Sequence, residues 1–254
     1  MPKISAVIIA YNEEQFIGKC LASLNGVADE IVVVDSFSTD ATEEICNKYN
    51  VRFVKHLFEG YKDQKNFAIQ QATYKNVLSL DADEALSDTL RASIIAVKRK
   101  LKYDGYFVNR RNYFCGKWIQ HSTWYPDKQL RLFYSDKGQF GKLNLHEKFI
   151  MSNGGTTGKL KGDLLHWSCN TLEDHLEKMN KYSLIGAEEY HKTGRKANFF
   201  TPYIHYLWGF FRSYFIRAGF LDGSEGFLIC SIYAKSAFNK YKLLRKLNKN
   251  GVSR

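Results

Sequence analysis

The chain has 254 residues, 44% of them hydrophobic, only three prolines, and a formal net charge of +11. That composition excludes wholesale disorder and suits one large α/β domain, or one such domain with a helical appendage. The five cysteines (Cys20, Cys46, Cys115, Cys169 and Cys230) are odd in number and scattered, with no pair at metal-knuckle or redox spacing, and a reduced, cytosolic compartment fits best.

Lys3–Ala10 is a continuous apolar run with β-branched residues, the pattern of a strand buried on both faces. It is too short for a signal peptide with its cleavage site, and Tyr11-Asn12-Glu13-Glu14 ends it with charge. Asn12 is expected to cap a helix, with Glu13 and Glu14 in its first turn and Phe16, Ile17, Cys20, Leu21 and Leu24 on its apolar face. Glu30–Val34 reads as a second buried strand ending in Asp35. Asp40 and Glu43 form a capping-box pattern for a second helix. Val51–Lys55 is a third strand, Gln64–Ala72 a helix, Asn76–Leu80 a fourth strand, and Thr89–Lys100 a further helix. The alternation predicts an α/β fold with a mostly parallel central sheet and helices on both faces.

After Gly105 the pattern changes. Gly105–Asn112, Gln129–Tyr134, Glu147–Met151 and Leu164–Trp167 read as shorter strands between glycine-bearing loops. From Thr171 the chain is expected to be helical, and Phe199–Phe220 and Phe227–Leu247 are dense in aromatic and basic residues. Neither holds an apolar span of about 20 residues, so both are expected to lie in a membrane interface rather than to cross it. From Arg195 onward eleven Lys/Arg face only Asp222 and Glu225, so this stretch carries +9 of the +11. Such a tail seeks phosphate. The expected division is residues 1–170 and a helical region 171–254.

In open α/β sheets the ligand meets the carboxyl ends of the strands, and three polar clusters fall there: Tyr11-Asn12-Glu13, Asp35 and Asp81-Ala82-Asp83. Asp81 and Asp83, one residue apart, suit a hard cation such as Mg²⁺ or Mn²⁺ that also binds phosphate oxygens. A D-x-D pair alone is more often solvated loop; its place after the buried run Val77–Leu80 reverses that. Asp35 is either a turn cap or an acceptor for a nucleoside. No G-x-G-x-x-G follows the first strand and no P-loop motif occurs, so a diphosphate here must be held by metal and side chains.

Ala10-Tyr11-Asn12-Glu13-Glu14, Val34-Asp35-Ser36-Phe37-Ser38-Thr39-Asp40 and Leu80-Asp81-Ala82-Asp83-Glu84 resemble the N-terminal half of family 2 glycosyltransferases of the GT-A (Rossmann-like) fold. Gln64-Lys65-Asn66-Phe67-Ala68, Gln129-Leu130-Arg131-Leu132-Phe133, Leu145-His146-Glu147, Gly162-Asp163-Leu164-Leu165-His166 and Gly219-Phe220-Leu221-Asp222-Gly223 resemble the bacterial lipopolysaccharide core β-glucosyltransferase subgroup. The first three motifs belong to a very broad family, and the later ones are more specific.

The resemblance implies a donor site of Ala10, Tyr11, Asn12, Glu13, Asp35, Lys65, Asn66, Asp81, Ala82, Asp83 and Arg131. It implies a metal held by Asp83 and Asp81, with His166 completing the shell or touching the diphosphate. It implies a general base at Glu147, with Asp127 next in line. The implied reaction is inverting transfer of a hexose from a nucleotide-diphosphate sugar, UDP-glucose foremost, to a lipopolysaccharide-core or other surface-glycan acceptor. The expected partners are that donor, a glycolipid or oligosaccharide acceptor, and the inner face of the cytoplasmic membrane, with no nucleic acid. The alternatives are a sugar-phosphate nucleotidyltransferase and a non-catalytic membrane- or nucleic-acid-binding protein. Against the former, the loop after the first strand is acidic where those enzymes are usually basic and glycine-rich.

Overall fold

The computed structural model describes residues 1–143, 146–169 and 171–250. Two compact units emerge: Met1–Arg111 with Asp127–Trp167, and Asn112–Pro126 with Ser168–Arg254.

The first unit is built on β1 (Ile4–Ala10), β2 (Glu30–Asp35), β3 (Arg52–Lys55) and β4 (Asn76–Asp81), which run parallel in the order β3-β2-β1-β4. Alternation along β1 sends Ile4, Ala6 and Ile8 to one face and Val7 to the other, and both faces are buried. The first face is covered by α1 (Ile17–Ser23) and α4 (Asp88–Lys98), through Ile17, Cys20, Leu21, Leu90 and Ile94. The second is covered by α3 (Tyr61–Gln70) through Ala68, while the short α2 (Thr42–Asn47) adds Cys46 to the first.

Beyond β4 the sheet continues antiparallel. β5 (Glu84–Leu86), β6 (Gly105–Phe114), β8 (Asp127–Tyr134) and β11 (Thr157–Cys169) extend it in the order β4-β8-β6-β11-β5. The two-residue β7 (Lys117–Trp118) pairs with the end of β6. β9 (Gly138–Leu143) and β10 (His146–Met151) form a separate antiparallel pair, whose Phe140 and Phe149 pack on Phe133 of β8. The parallel part thus supplies the strand ends that matter for ligands, and the antiparallel part brings distant side chains beside them.

Several local expectations are corrected. Asn12 does not cap α1: its φ is +54°, and its side-chain oxygen accepts from the Thr39 backbone N–H at 2.8 Å. Glu13 and Glu14 therefore precede a helix that starts at Ile17 without a side-chain cap. Asp40 and Glu43 make no capping box; the Asp40 carboxylate accepts the N–H groups of Thr42 and Glu14, both at 3.0 Å. These polar groups are spent cross-bracing two loops. β11 is far longer than the strand predicted around Leu164–Trp167, because glycine there does not end it. At Gly162 (φ +89°) an added Cβ would lie 2.3 Å from the Leu90 backbone nitrogen, so glycine allows the strand to pass α4 closely.

The second unit holds α5 (Leu172–Lys192), α6 (Thr201–Phe211) and α7 (Gly223–Asn250). The helix expected over Phe199–Phe220 is broken. It passes into a π-helical turn at Arg212–Ile216 and a 3₁₀ turn at Gly219–Asp222, with Ala218 left-handed between them (φ +53°). Asp222 is buried and accepts the backbone N–H groups of Gln120 and His121, so this turn is tied to the 112–126 segment.

His175 of α5 is buried edge-on to Phe114 and Trp124, with ring centroids 5.4 and 5.1 Å away. Burial, with a smaller push from Lys178, lowers its pKa from 6.5 to about 4. Between those values the unfolded chain binds a proton that the folded chain does not. Stability therefore falls as pH drops from 6.5 towards 4, by about 2 kcal/mol after allowance for screening. Urea midpoints at pH 7 and pH 5 should differ accordingly, and His175→Phe should flatten the difference. An unchanged pH slope in that variant would remove the histidine as its cause.

Candidate active site

Register places the polar strand ends side by side: Ala10 lies opposite Asp35 across β1 and β2, and Ile9 opposite Asp81 across β1 and β4. Asp35 is buried and accepts both the backbone N–H and the hydroxyl of Ser38. Asn12 donates its backbone N–H to Ser38 Oγ at 2.8 Å, and Glu13 donates its own to Thr42 Oγ1 at 2.8 Å. The loops after β1 and β2 are thereby locked together, while Tyr11 stays exposed at their edge.

Asp81 and Asp83 diverge. Asp81 is paired with Lys65 Nζ at 2.8 Å and Arg131 Nη2 at 3.1 Å. Burial alone would raise its pKa, but Lys65 and Arg131 outweigh that and hold the carboxyl well below the ordinary range. Ala82, buried between the two aspartates, donates its N–H to Ile9 O at 3.1 Å, which fixes the turn. Asp83 points elsewhere, with Oδ2 3.2 Å from His166 Nε2 on β11. The backbone carbonyl of Asp83 also accepts Trp167 N–H at 3.0 Å.

Glu84 and Arg110, given no role in the sequence reading, complete the cluster. Glu84 is fully buried and accepts from Arg131 Nη2 at 2.6 Å and from the Asp81 backbone N–H at 3.0 Å, with Arg110 Nη1 at 3.4 Å. Arg110 in turn grips Asp127 through Nε at 2.8 Å and Nη2 at 2.7 Å. Burial lowers the tendency of both arginines to stay charged, but their carboxylate partners reverse that, and the pKa of each is raised. Glu84 was legible only as the residue after the D-x-D pair. Arg110 carried no signal, since it reads as one more polar residue on a half-buried strand.

Not every predicted residue joins this group. Asn66 uses its amide on the β9 backbone, donating to Phe140 O at 2.9 Å and accepting Phe140 N–H at 2.8 Å. Glu147 lies half-buried on β10 opposite Lys142. Leu145, part of the Leu145-His146-Glu147 motif, lies outside the described residues, as does the side chain of His146.

Within the described cluster four carboxylates (Asp81, Asp83, Glu84, Asp127) meet three fixed cations (Lys65, Arg110, Arg131). Asp81, Glu84 and Asp127 are each paired with at least one of those cations. Asp83, with His166, is therefore the pair whose chemistry fits a divalent cation: a hard oxygen and an imidazole nitrogen, with most of the shell left to phosphate and water. Among the described residues no group of three His, Cys, Asp or Glu gathers as a ready-made metal site.

The parallel half of this mixed sheet presents carboxylates at its strand ends beside Lys65, Arg110 and Arg131, the position at which open α/β sheets meet their ligands. Residues 5–153 match the model of Glycosyl transferase family 2, and the chain belongs to that family. It is a glycosyltransferase, which sets aside the nucleotidyltransferase and non-catalytic alternatives, and its fold is α/β with the parallel strands that the sequence implied at its core. The lipopolysaccharide core biosynthesis glycosyltransferase LpsC of Rhizobium meliloti (strain 1021) is 31% identical over 98% of this chain and 97% of its own. An uncharacterized glycosyltransferase of Rickettsia typhi (strain ATCC VR-144 / Wilmington) is 30% identical over 98% of this chain and 88% of its own. Among solved structures, S. aureus TarS 1-349 in complex with UDP shares 17% identity at a TM-score of 0.45, covering 98% of this chain and 92% of that one.

Proposed function

We propose that this glycosyltransferase moves a hexose from a nucleotide-diphosphate sugar, UDP-glucose foremost, to a lipopolysaccharide-core or related surface-glycan acceptor, with inversion. The observation that carries the reading is the division of labour between Asp81, neutralised by Lys65 and Arg131, and Asp83, turned to His166 at the same strand end. The acceptor class is supported by the 31% identity to LpsC over nearly the whole chain.

Asn12, Glu13 and Asp35, with Ala10 and Tyr11 beside them, bind the nucleoside on the braced loops. Asp81 and Ala82 shape the ribose side, and Asn66 acts through its hold on β9. Lys65 and Arg131 set a positive wall for the diphosphate, already oriented by Asp81 and Glu84, so little reorganisation is needed as the leaving group gains charge. A Mn²⁺ or Mg²⁺ ion held by Asp83 and His166, with Asp81 behind them, would supply further positive charge to that diphosphate. Glu147 takes the acceptor hydroxyl's proton. Asp127 is the weaker choice, because Arg110 already occupies its carboxylate through Nε and Nη2. The acceptor is met at the inner face of the cytoplasmic membrane; no helix among the described residues is long and apolar enough to cross a membrane.

Glu147→Gln should retain UDP-glucose binding by calorimetry and lose roughly 100-fold or more in transfer rate, whereas Asp127→Asn should keep measurable turnover. Near-normal turnover in the first variant and a dead second one would reassign the base. A thermal-shift panel of nucleotide sugars with Mn²⁺ tests the donor; a larger shift with a guanosine or thymidine sugar would displace UDP-glucose.

A further inference from the structure

The second unit carries two surface features that donor chemistry leaves unexplained. The first is an aromatic and aliphatic face running from the segment before α6 through the π-helical turn. Phe200, Leu207 and Trp208 are 65%, 66% and 53% exposed, and Ile204, Phe211 and Phe215 lie open beside them. A patch of that density is far beyond the scattered apolar side chains of an ordinary soluble surface. The second is a groove of about 590 Å³ between α5 and α7, lined by Lys242, Arg245, Lys246 and Lys249.

The two features are continuous. α6 lies antiparallel along α7, with Tyr203 on Phe238 at 5.2 Å and Phe210 on Phe227 at 5.8 Å. At the far end Arg245 of the groove places its guanidinium 5.0 Å from the ring centroid of Phe199, at the edge of the apolar face. One surface therefore offers apolar side chains next to a cationic cleft.

We infer that this surface is an in-plane docking face for an anionic phospholipid bilayer. The apolar residues enter the boundary between headgroups and acyl chains, and the α5–α7 groove holds lipid phosphates. Charge decides the occupant. A second copy would set one +9 segment against another. A nucleic acid would leave Ile204, Leu207 and Ile216 without a partner, since only the aromatic rings can stack on bases. An anionic bilayer satisfies both features at once. The inference rests on the proposed membrane-surface acceptor only for the choice of lipid, and it names the residues that make the contact.

The test uses the full chain with sucrose-loaded vesicles of phosphatidylcholine alone or mixed with phosphatidylglycerol, at low and high salt. The wild type should bind the anionic vesicles about tenfold or more tightly, with the advantage reduced by salt. Leu207→Ser/Trp208→Ser/Phe211→Ser should lose about tenfold or more on both vesicles, and Lys242→Glu/Lys246→Glu should lose the anionic preference. Circular dichroism and melting confirm folding, and Trp208→Ser alone repeats the test if the triple variant does not fold. Unchanged vesicle binding in both variants overturns the inference. So does a dimer, seen by sedimentation, that the triple variant abolishes while vesicle binding persists, or salt-sensitive RNA binding without vesicle binding. UDP-glucose hydrolysis without vesicles should survive in all these variants; its absence in the wild type would count against the transferase reading, not this one.

Discussion

Glu84→Ala is expected to destabilise the protein by about 3–5 kcal/mol, the range for removing one partner of a buried ion pair. Glu84 is fully buried and serves Arg131, Arg110 and the Asp81 backbone N–H at once. Without it, among the described residues, Arg110 and Arg131 keep only Asp127 and Asp81 as carboxylate partners, and Asp81 already shares itself with Lys65. The Asp81 N–H also loses its acceptor, a further desolvation cost. Chemical denaturation reads the effect directly. Glu84→Gln keeps an acceptor but not the charge, so its loss should be smaller. A cost below about 1 kcal/mol for the alanine variant would mean that water replaces the carboxylate and that the cluster is not sealed. Donor affinity should fall along with stability, because Arg131 loses the group that orients it.

Asp83→Ala is expected to show the opposite profile: transfer falls by about 10³-fold or more while folding stability changes by less than about 1 kcal/mol. Its side chain is 24% exposed, and its described side-chain ion pair is with His166. The carbonyl bond to Trp167 N–H does not depend on the side chain. Mn²⁺ titration followed by electron paramagnetic resonance should show metal binding in the presence of UDP in the wild type and its loss in the variant. Half-normal transfer by Asp83→Ala, with metal binding intact, would end the proposal that this aspartate holds the cation. Asp81→Asn makes the control, since it strips Lys65 and Arg131 of a charged partner and should cost stability before it costs metal. Two aspartates one residue apart thus should fail in different ways.

Much of the first unit was legible because its determinants are local. Ile4–Ala10, Glu30–Asp35 and Asn76–Asp81 are apolar on both alternating faces, and only a sheet covered on both sides buries such runs. What failed were assignments in which a polar residue had two plausible uses. Asn12 and Asp40 are good helix caps by type, yet they bridge the β1 and β2 loops, and nothing local separates a cap from a bridge. The helix predicted over Phe199–Phe220 failed for a related reason. Its composition is helical throughout, and the break at Ala218 accompanies the docking of Asp222 onto Gln120 and His121, about a hundred residues away.

The chain's own pattern determined the parallel core, the strand-end placement of Asp35, Asp81 and Asp83, and a basic aromatic C-terminal stretch, since burial periodicity and charge are local properties. Only the tertiary structure decided which aspartate is neutralised and which faces His166. It also recruited Glu84 and Arg110, and it gave Asp127 to an arginine. Those outcomes depend on the register of antiparallel strands that set side chains 17 to 83 residues apart within ion-pair distance. A buried carboxylate takes whichever cation the fold delivers, so its role is written in the pairing of strands and not in its neighbours along the chain.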